Sequence, residues 1–324
     1  MALTVVMYHY VRRLTESRYP EIKGLERDLF VQQLRYLKRF YVPVTGQQVI
    51  EAVQGRGSLP ENAVLLTFDD GYLDHFTTVF PILRREGLFG VFFPPARCVL
   101  EGKVLDVNKI HYILASTPDK SSLVAAIDEA VEEARSEFDL LPLQHYRDHY
   151  AVASRFDPAE VIYIKRMLQV ALPEVLRARL AQRLFARFVS SDEKSFAHEL
   201  YMDEDQVACL VDSGMMVGSH GYNHEWLDAL PPEEQAREVD LSLDFMERVG
   251  AGRKNWIMCY PYGAWNASLL DILRQRGCAL GFTTEVALAD PAGHDPLLLP
   301  RLDTNDLPKN AAADPVAWTT AVKG

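Results

Sequence analysis

The chain alternates, along most of its 324 residues, between two kinds of segment. Short apolar runs rich in β-branched and aromatic residues take turns with longer amphipathic stretches. The short runs predict strands over residues 3–9, 41–45, 63–70, 89–94, 216–220, 255–260, 280–284 and 297–302. The longer stretches predict helices over 26–40, 46–54, 73–86, 204–212, 232–249 and 267–276. Gly87, Gly214 and Gly277 stand where helices should stop. Such alternation calls for parallel strands joined by crossover helices, hence an α/β barrel or a doubly wound sheet.

The rhythm breaks between about residues 97 and 200, where no strand pattern is found. Residues 123–138, 158–170 and 173–189 read as helices, and the region as a helical insertion too long for an ordinary connection. Arg177, Arg179, Arg183 and Arg187 line one of these helices, and a solvated face is the plainest reading of that stripe. Residues after 309 read as a loosely held tail.

Composition narrows the function. The chain carries 34 Lys and Arg against 45 Asp and Glu, a net charge of -11, so nucleic acid is not expected as a partner. Cys98, Cys209, Cys259 and Cys278 have no CxxC or zinc-ribbon spacing, which predicts reduced thiols. The first residues show no basic segment followed by a long apolar run. No signal peptide or transmembrane segment is expected, and a cytoplasmic location with a cytoplasmic substrate follows as the expectation.

The chemistry gathers at strand ends. Leu65-Leu66-Thr67-Phe68-Asp69-Asp70-Gly71 runs an apolar strand into two acids. Burying adjacent carboxylates is costly unless cations compensate them, and neighbouring strand positions point to opposite sides, so one can ligate a metal while the other handles a proton. A turn with a helix cap is the ordinary alternative. Gly218-Ser219-His220-Gly221-Tyr222-Asn223-His224 ends another strand in a His-x3-His pair, which can share one ion if the segment is helical or tightly looped. Two His and one carboxylate leave positions open for water and substrate, as a catalytic zinc-type site requires. Cys259-Tyr260-Pro261-Tyr262-Gly263 ends a third strand in a turn able to offer a backbone N–H to an oxyanion, with Asn266 as a cap for the next helix. His9 ends the first strand and Arg301 the last. Taken singly, each has an ordinary structural explanation. Together, five polar strand ends would converge on the C-terminal face of a parallel barrel, where such barrels place their active sites.

These residues resemble the polysaccharide deacetylase family, also called carbohydrate esterase family 4 or the NodB-homology domain. Thr67-Phe68-Asp69-Asp70-Gly71 matches its first motif. Ser219 to His224 matches the spacing of its second, with Gly221 where Ser or Thr is usual, and Pro261-Tyr262-Gly263 matches the core of its third. The resemblance implies a distorted (β/α)7 barrel over 1–96 and 201–308, with a helical insertion over 97–200 and a C-terminal tail over 309–324. It implies one divalent ion, zinc before cobalt, nickel or manganese, on Asp70, His220 and His224. Asp69 would be the catalytic base and the Tyr262 N–H an oxyanion donor. The chain departs from the family in having Trp256-Ile257-Met258-Cys259-Tyr260 where an Arg is usual before the turn, and in lacking a C-terminal Leu-x-His. It resembles in this the poly-N-acetylglucosamine deacetylases, which place the catalytic acid in an N-terminal Tyr-His. That implies His9 as acid and Arg301 as the replacement for the missing Arg; another histidine, such as His294, is to be considered only if His9 proves not to be the acid.

The expected activity is hydrolysis of an N-acetyl group on an amino sugar of surface-polysaccharide biosynthesis, nucleotide-linked, lipid-linked or otherwise cytosolic. Deformylation, hydrolysis of a non-sugar amide, and silent saccharide binding are the alternatives. The insertion is large enough to carry a subunit interface. Arg12, Arg13, Arg18 and Lys23 form a cationic segment after His9 that could grip an anionic substrate, against the plainer reading of a solvated loop.

Overall fold

Seven of the eight apolar runs become parallel strands in the computed structural model, which describes residues 2–154 and 157–321. They are β1 (Leu3–Tyr8), β2 (Ala63–Asp69), β3 (Val91–Phe93), β4 (Met216–Val217), β5 (Ile257–Cys259), β6 (Leu280–Phe282) and β7 (Leu302–Asp303). β7, β1, β2, β3 and β4 lie side by side in one parallel sheet. A parallel bridge from Ser219 to Met258 carries the order on to β5, which pairs with β6. A second parallel bridge, Phe282 to Leu299, returns to the residues that lead into β7. The order therefore runs around a ring of seven, the distorted (β/α)7 barrel that the motifs imply. The eighth run forms only Val42–Pro43, paired with the start of β2.

Both faces of these strands are covered, which is why their sequences read as continuous apolar runs. Alternation divides them. Leu3 and Val5 of β1, Leu65 of β2, Phe93 of β3, Ile257 and Cys259 of β5, and Leu299 form one buried cluster. The alternate residues Val6, Tyr8, Leu66, Phe68 and Phe92 pack instead with Phe30, Leu34 and Leu37 of the helix Arg27–Phe40. Asp69 and Arg301 fall in register with the first set, so their charges belong to the barrel's inner layer.

The helices form where amphipathic patterning places them: Arg27–Phe40, Gly46–Val53, Glu204–Asp212, Pro232–Arg248 and Ala267–Gln275. Thr45 and Asp203 close capping boxes on two of them. The helix expected over 73–86 opens as a π-helical turn, His75–Val79, before Phe80–Glu86, and Gly87 ends it with φ 67°. The C-terminal residues differ from the expected loose tail. Ala317–Ala321 is a short helix whose buried Thr319 hydrogen-bonds the hydroxyls of Tyr36 (2.7 Å) and Tyr41 (3.0 Å), while Val316 and Trp318 pack on the core.

The chain clusters into two compact units. One holds the barrel strands, over residues 1–13, 24–103 and 197–324; the other spans 14–23 and 104–196. The second unit is helical, with Asp106–Ser116, Lys120–Ala134, Leu143–Tyr150, Ala159–Arg166 and Glu174–Phe188. Asp106–Ser116 and Leu143–Tyr150 escaped the sequence reading because their apolar positions are few or irregular. Asp128 is buried there, accepting a hydrogen bond from Tyr163 (2.6 Å) and pairing with Arg147. Exposed Arg179 and Arg183 pair with Glu137 and Glu133, as a solvated face would.

Strands that crowd this closely leave places only glycine can fill. A Cβ on Gly218, just beyond β4, would stand 2.5 Å from Phe93 Cε1 and 2.8 Å from the Ile257 carbonyl oxygen. Gly218→Ala should therefore destabilise the protein by about 1–3 kcal/mol, the usual cost of overpacking, read as a lower urea midpoint with unchanged slope.

Candidate active site

Asp69 is the last residue of β2, and the chain turns sharply after it. Asp70 and Gly71 both take left-handed backbone angles, φ 72° and 65°. The turn, rather than strand alternation, is what sends the two carboxylates to different partners. Gly71 is required there, since a Cβ would lie within 2.8 Å of Pro94.

Asp69 meets Arg301 in a bidentate pair, Nη1 to Oδ1 at 2.9 Å and Nη2 to Oδ2 at 2.8 Å, with 2% and 1% of the two side chains exposed. Arg301 is itself fixed on every side. Its Nε donates to the Thr283 carbonyl (3.0 Å), Nη1 to Thr67 Oγ1 (3.2 Å) and Nη2 to Cys259 Sγ (3.1 Å). Burial alone would raise the Asp69 carboxyl. The guanidinium, with His220 behind it, overcomes that and holds the group down at about 2.

Asp70 turns away from this pair. One of its oxygens accepts from the Tyr72 hydroxyl (2.5 Å), and the other lies 3.4 Å from Nε2 of both His220 and His224. Burial opposes its charge, yet the two imidazoles keep it ionised, well below the ordinary carboxylate range. The second histidine arrives by a tight loop and not a helix, with Gly221 at φ 72° and His224 at φ 61°. Buried Glu238, on the helix Pro232–Arg248, holds that loop, accepting from the backbone N–H of Tyr222 (3.1 Å) and Asn223 (2.8 Å).

Among the described residues two sets of ligating side chains are close enough to hold an ion: Asp70, His220 and His224, and Asp69, His220 and Cys259. Arg301 decides between them, because its guanidinium already stands against Asp69 and Cys259 and would repel a second cation. The first set fits a metal well. The Cys259 carbonyl, 2.8 Å from His220 Nδ1, can only accept, so that nitrogen carries a proton. In a neutral imidazole the Nε2 facing Asp70 is then a lone pair. Ligands about 2.0–2.1 Å from a tetrahedral ion stand about 3.3–3.4 Å apart, which matches the 3.4 Å separations. A charge-assisted hydrogen bond would be nearer about 2.7–2.9 Å.

His9 sits at the end of β1, near enough to both carboxylates to help lower them, and its carbonyl is 2.9 Å from Nε2 of fully buried His75. His294, the alternative acid, is exposed and caps its own turn at Asp290 (3.1 Å). Tyr262 adopts φ 58°, its ring edge-on to His224 with centroids 4.7 Å apart, and Asn266 caps the following helix (3.0 Å to the Leu269 N–H).

Two cations of the segment after His9 have acidic partners. Arg12 is engaged by Asp74 (2.6 Å) and Lys23 by Asp157 (2.5 Å), so these charges are already compensated. The sequence reading missed Glu238 and Cys259. Glu238 carried a signal, an acid in register with the buried Gln235, Val239 and Ser242 of its helix. Cys259 carried none, since a thiol in an apolar strand reads as core.

Known proteins bear on the same residues. The family model described as polysaccharide deacetylase matches residues 182–281, the stretch that carries both histidines and the Tyr262 turn. Over 44 residues the chain is 57% identical to the poly-beta-1,6-N-acetyl-D-glucosamine N-deacetylase of Escherichia coli (strain K12), a stretch that is 14% of this chain and 6% of that protein. Its fold is that of IcaB from Ammonifex degensii (TM-score 0.56, 21% identity, 99% and 96% of the two chains). The fold is shared equally with Streptococcus pyogenes deacetylase PplD, solved with acetate (TM-score 0.56, 16% identity, 94% and 92%). A barrel of this order, carrying all three motifs and matched by the family's own model across two of them, is similar to the polysaccharide deacetylase family.

Proposed function

We propose that the chain is a metal-dependent hydrolase that removes the N-acetyl group from an amino sugar of a polysaccharide, with β-1,6-linked N-acetylglucosamine as the first substrate to test. The observation that carries this reading is the division of labour between adjacent carboxylates: Asp69 is pinned by Arg301 while Asp70 faces two imidazole nitrogens at 3.4 Å. The short, high-identity match to a deacetylase of that polymer supports the choice of sugar.

In this reading Asp70, His220 and His224 hold one divalent ion, zinc by its ligand set. When bound, the ion supplies Lewis acidity that brings water towards a neutral pKa and polarises the acyl carbonyl. Asp69, kept ionised by Arg301, takes the proton of the attacking water. The Tyr262 N–H, aimed by its left-handed backbone, steadies the developing oxyanion. His9 delivers a proton to the departing amine, leaving acetate and a free amino sugar. Cys259 acts one step back, its Sγ 3.1 Å from Arg301 Nη2 and 3.4 Å from Asp69 Oδ2, and so positions the base.

Asp70→Ala and His220→Ala should each lose tight metal on elemental analysis while keeping the wild-type circular dichroism spectrum; stoichiometric zinc in both would exclude the site. Asp69→Asn should keep the metal and lose most acetate release. His9→Ala should keep the metal and lose about a hundredfold or more in kcat, the scale of general acid catalysis; a wild-type rate would remove His9 from the mechanism.

Arg301→Gln tests the electrostatics with a definite sign. Burial pushes Asp69 up and Arg301 holds it down, so removing the guanidinium raises the base, and the acid limb of the kcat/KM profile should move to higher pH. The unpaired buried carboxylate should also cost about 3–5 kcal/mol in stability.

A further inference from the structure

Four rings form a ladder leading outward from the candidate metal centre. His220 and His224 meet edge-to-face with centroids 4.6 Å apart, and Tyr262 stands against His224 at 4.7 Å. Trp226 then lies flat on Tyr262, centroids 4.3 Å apart and planes within 4°. Exposure rises along the ladder, from 3% at His220 and 7% at His224 to 45% at Trp226.

The exposure of Trp226 is imposed by its neighbours. The next residue, Leu227, is fully buried in the core, and its carbonyl accepts from Gln235 Nε2 at 2.8 Å. The indole is thereby held outside with one face on Tyr262. Its N–H makes no hydrogen bond among the described residues. Buried Trp256, by contrast, donates its own to the Arg276 carbonyl (2.9 Å). A fixed aromatic face beside an unused donor, one ring beyond the turn expected to steady the reaction, suits a flat ligand with an apolar face and a hydroxyl edge. A pyranose ring has both.

We propose that Trp226 is a sugar-binding platform that seats the pyranose next to the one being deacetylated, so that the site takes an oligosaccharide in preference to a monosaccharide. This rests on the hydrolase reading above. The chemistry asked of the platform is contact alone: the ring's axial C–H groups lie on the indole and a hydroxyl accepts from its N–H. Trp226 lies on the Tyr262 ring and not on its backbone N–H, which the turn and the His224 contact hold, so its loss should weaken binding without slowing the bound complex.

The test compares wild type, Trp226→Ala and Trp226→Phe on a β-1,6-linked N-acetylglucosamine pentamer and on free N-acetylglucosamine, by acetate release. Trp226→Ala should raise KM for the pentamer roughly tenfold, the scale of one well-placed aromatic contact, with kcat within about twofold. It should leave the monosaccharide unchanged, and Trp226→Phe should restore most of the loss. A pentamer KM within about twofold of wild type, an equal rise on both sugars, or a fall confined to kcat would each overturn the platform. Calorimetric titration of the pentamer into Asp69→Asn protein, with and without Trp226→Ala, reads the platform without turnover. Trp226-dependent binding by a wild type that releases no acetate would overturn the hydrolase reading and leave the platform standing. Binding that ignores Trp226 would overturn the platform.

Discussion

The buried pair between Arg301 and Asp69 is the interaction on which the rest of the site depends. Two adjacent carboxylates at the end of a buried strand repel one another and resist desolvation, and a chain that ends a strand this way must compensate them. Arg301 does this for Asp69 from the opposite end of the sequence, because β7 lies beside β1 and β1 beside β2 in the ring. This strand order thus brings a cation from residue 301 against an acid at residue 69. The guanidinium also touches Thr67, Cys259 and the Thr283 carbonyl, so the charge sits in a fixed place.

Strain marks the same region. Among the described residues five non-glycine residues have left-handed backbones, and three of them are Asp70, His224 and Tyr262. The other two, Asn62 and Asn255, belong to the residue type that tolerates this conformation best. For Tyr262 the cost is of order 1–3 kcal/mol, and the edge-on contact of His224 with its ring helps fix it. Each of the three sits where an extended or helical backbone would send its side chain or N–H elsewhere. The left-handed turn at Asp70 separates it from Asp69. The turn at His224, braced by Glu238, returns an imidazole to the carboxylate that His220 already faces.

Much of this was legible in the sequence, and the limits have physical causes. Strand ends were readable because a parallel barrel buries both strand faces, so a polar group after an apolar run stands out. Convergence of strand ends on one face brought the two acids and the two histidines together, while the choice of Asp70 over Asp69 as their partner came from the family resemblance. What escaped were side chains whose work depends on packing and not on pattern. Cys259 reads as one more apolar strand residue until Arg301 is seen against it. Arg12 and Lys23 read as free charge until Asp74 and Asp157 are seen beside them. The C-terminal residues have too little apolar content to predict docking, and a pair of tyrosine hydroxyls on Thr319 helps hold them.

Charge balance gives the last step. Asp69 and Asp70 bring two negative charges into the site, and Arg301 offsets one. The remaining charge on Asp70 can be met by protonating an imidazole or by a cation between Asp70 and the two histidines. Protonation of His220, which Cys259 and Asp70 favour against the effect of burial, supplies one proton but leaves it across a 3.4 Å gap. His224 is pushed the other way, by burial first and then by its neighbour His220, which favours its neutral form. A neutral imidazole brings no charge to balance the carboxylate oxygen it faces at 3.4 Å. A divalent ion meets both partners at once, which a single proton cannot. The geometry that makes Arg301 the right neighbour for Asp69 is therefore also what leaves the charge of Asp70 to the two histidines and to the ion proposed between them.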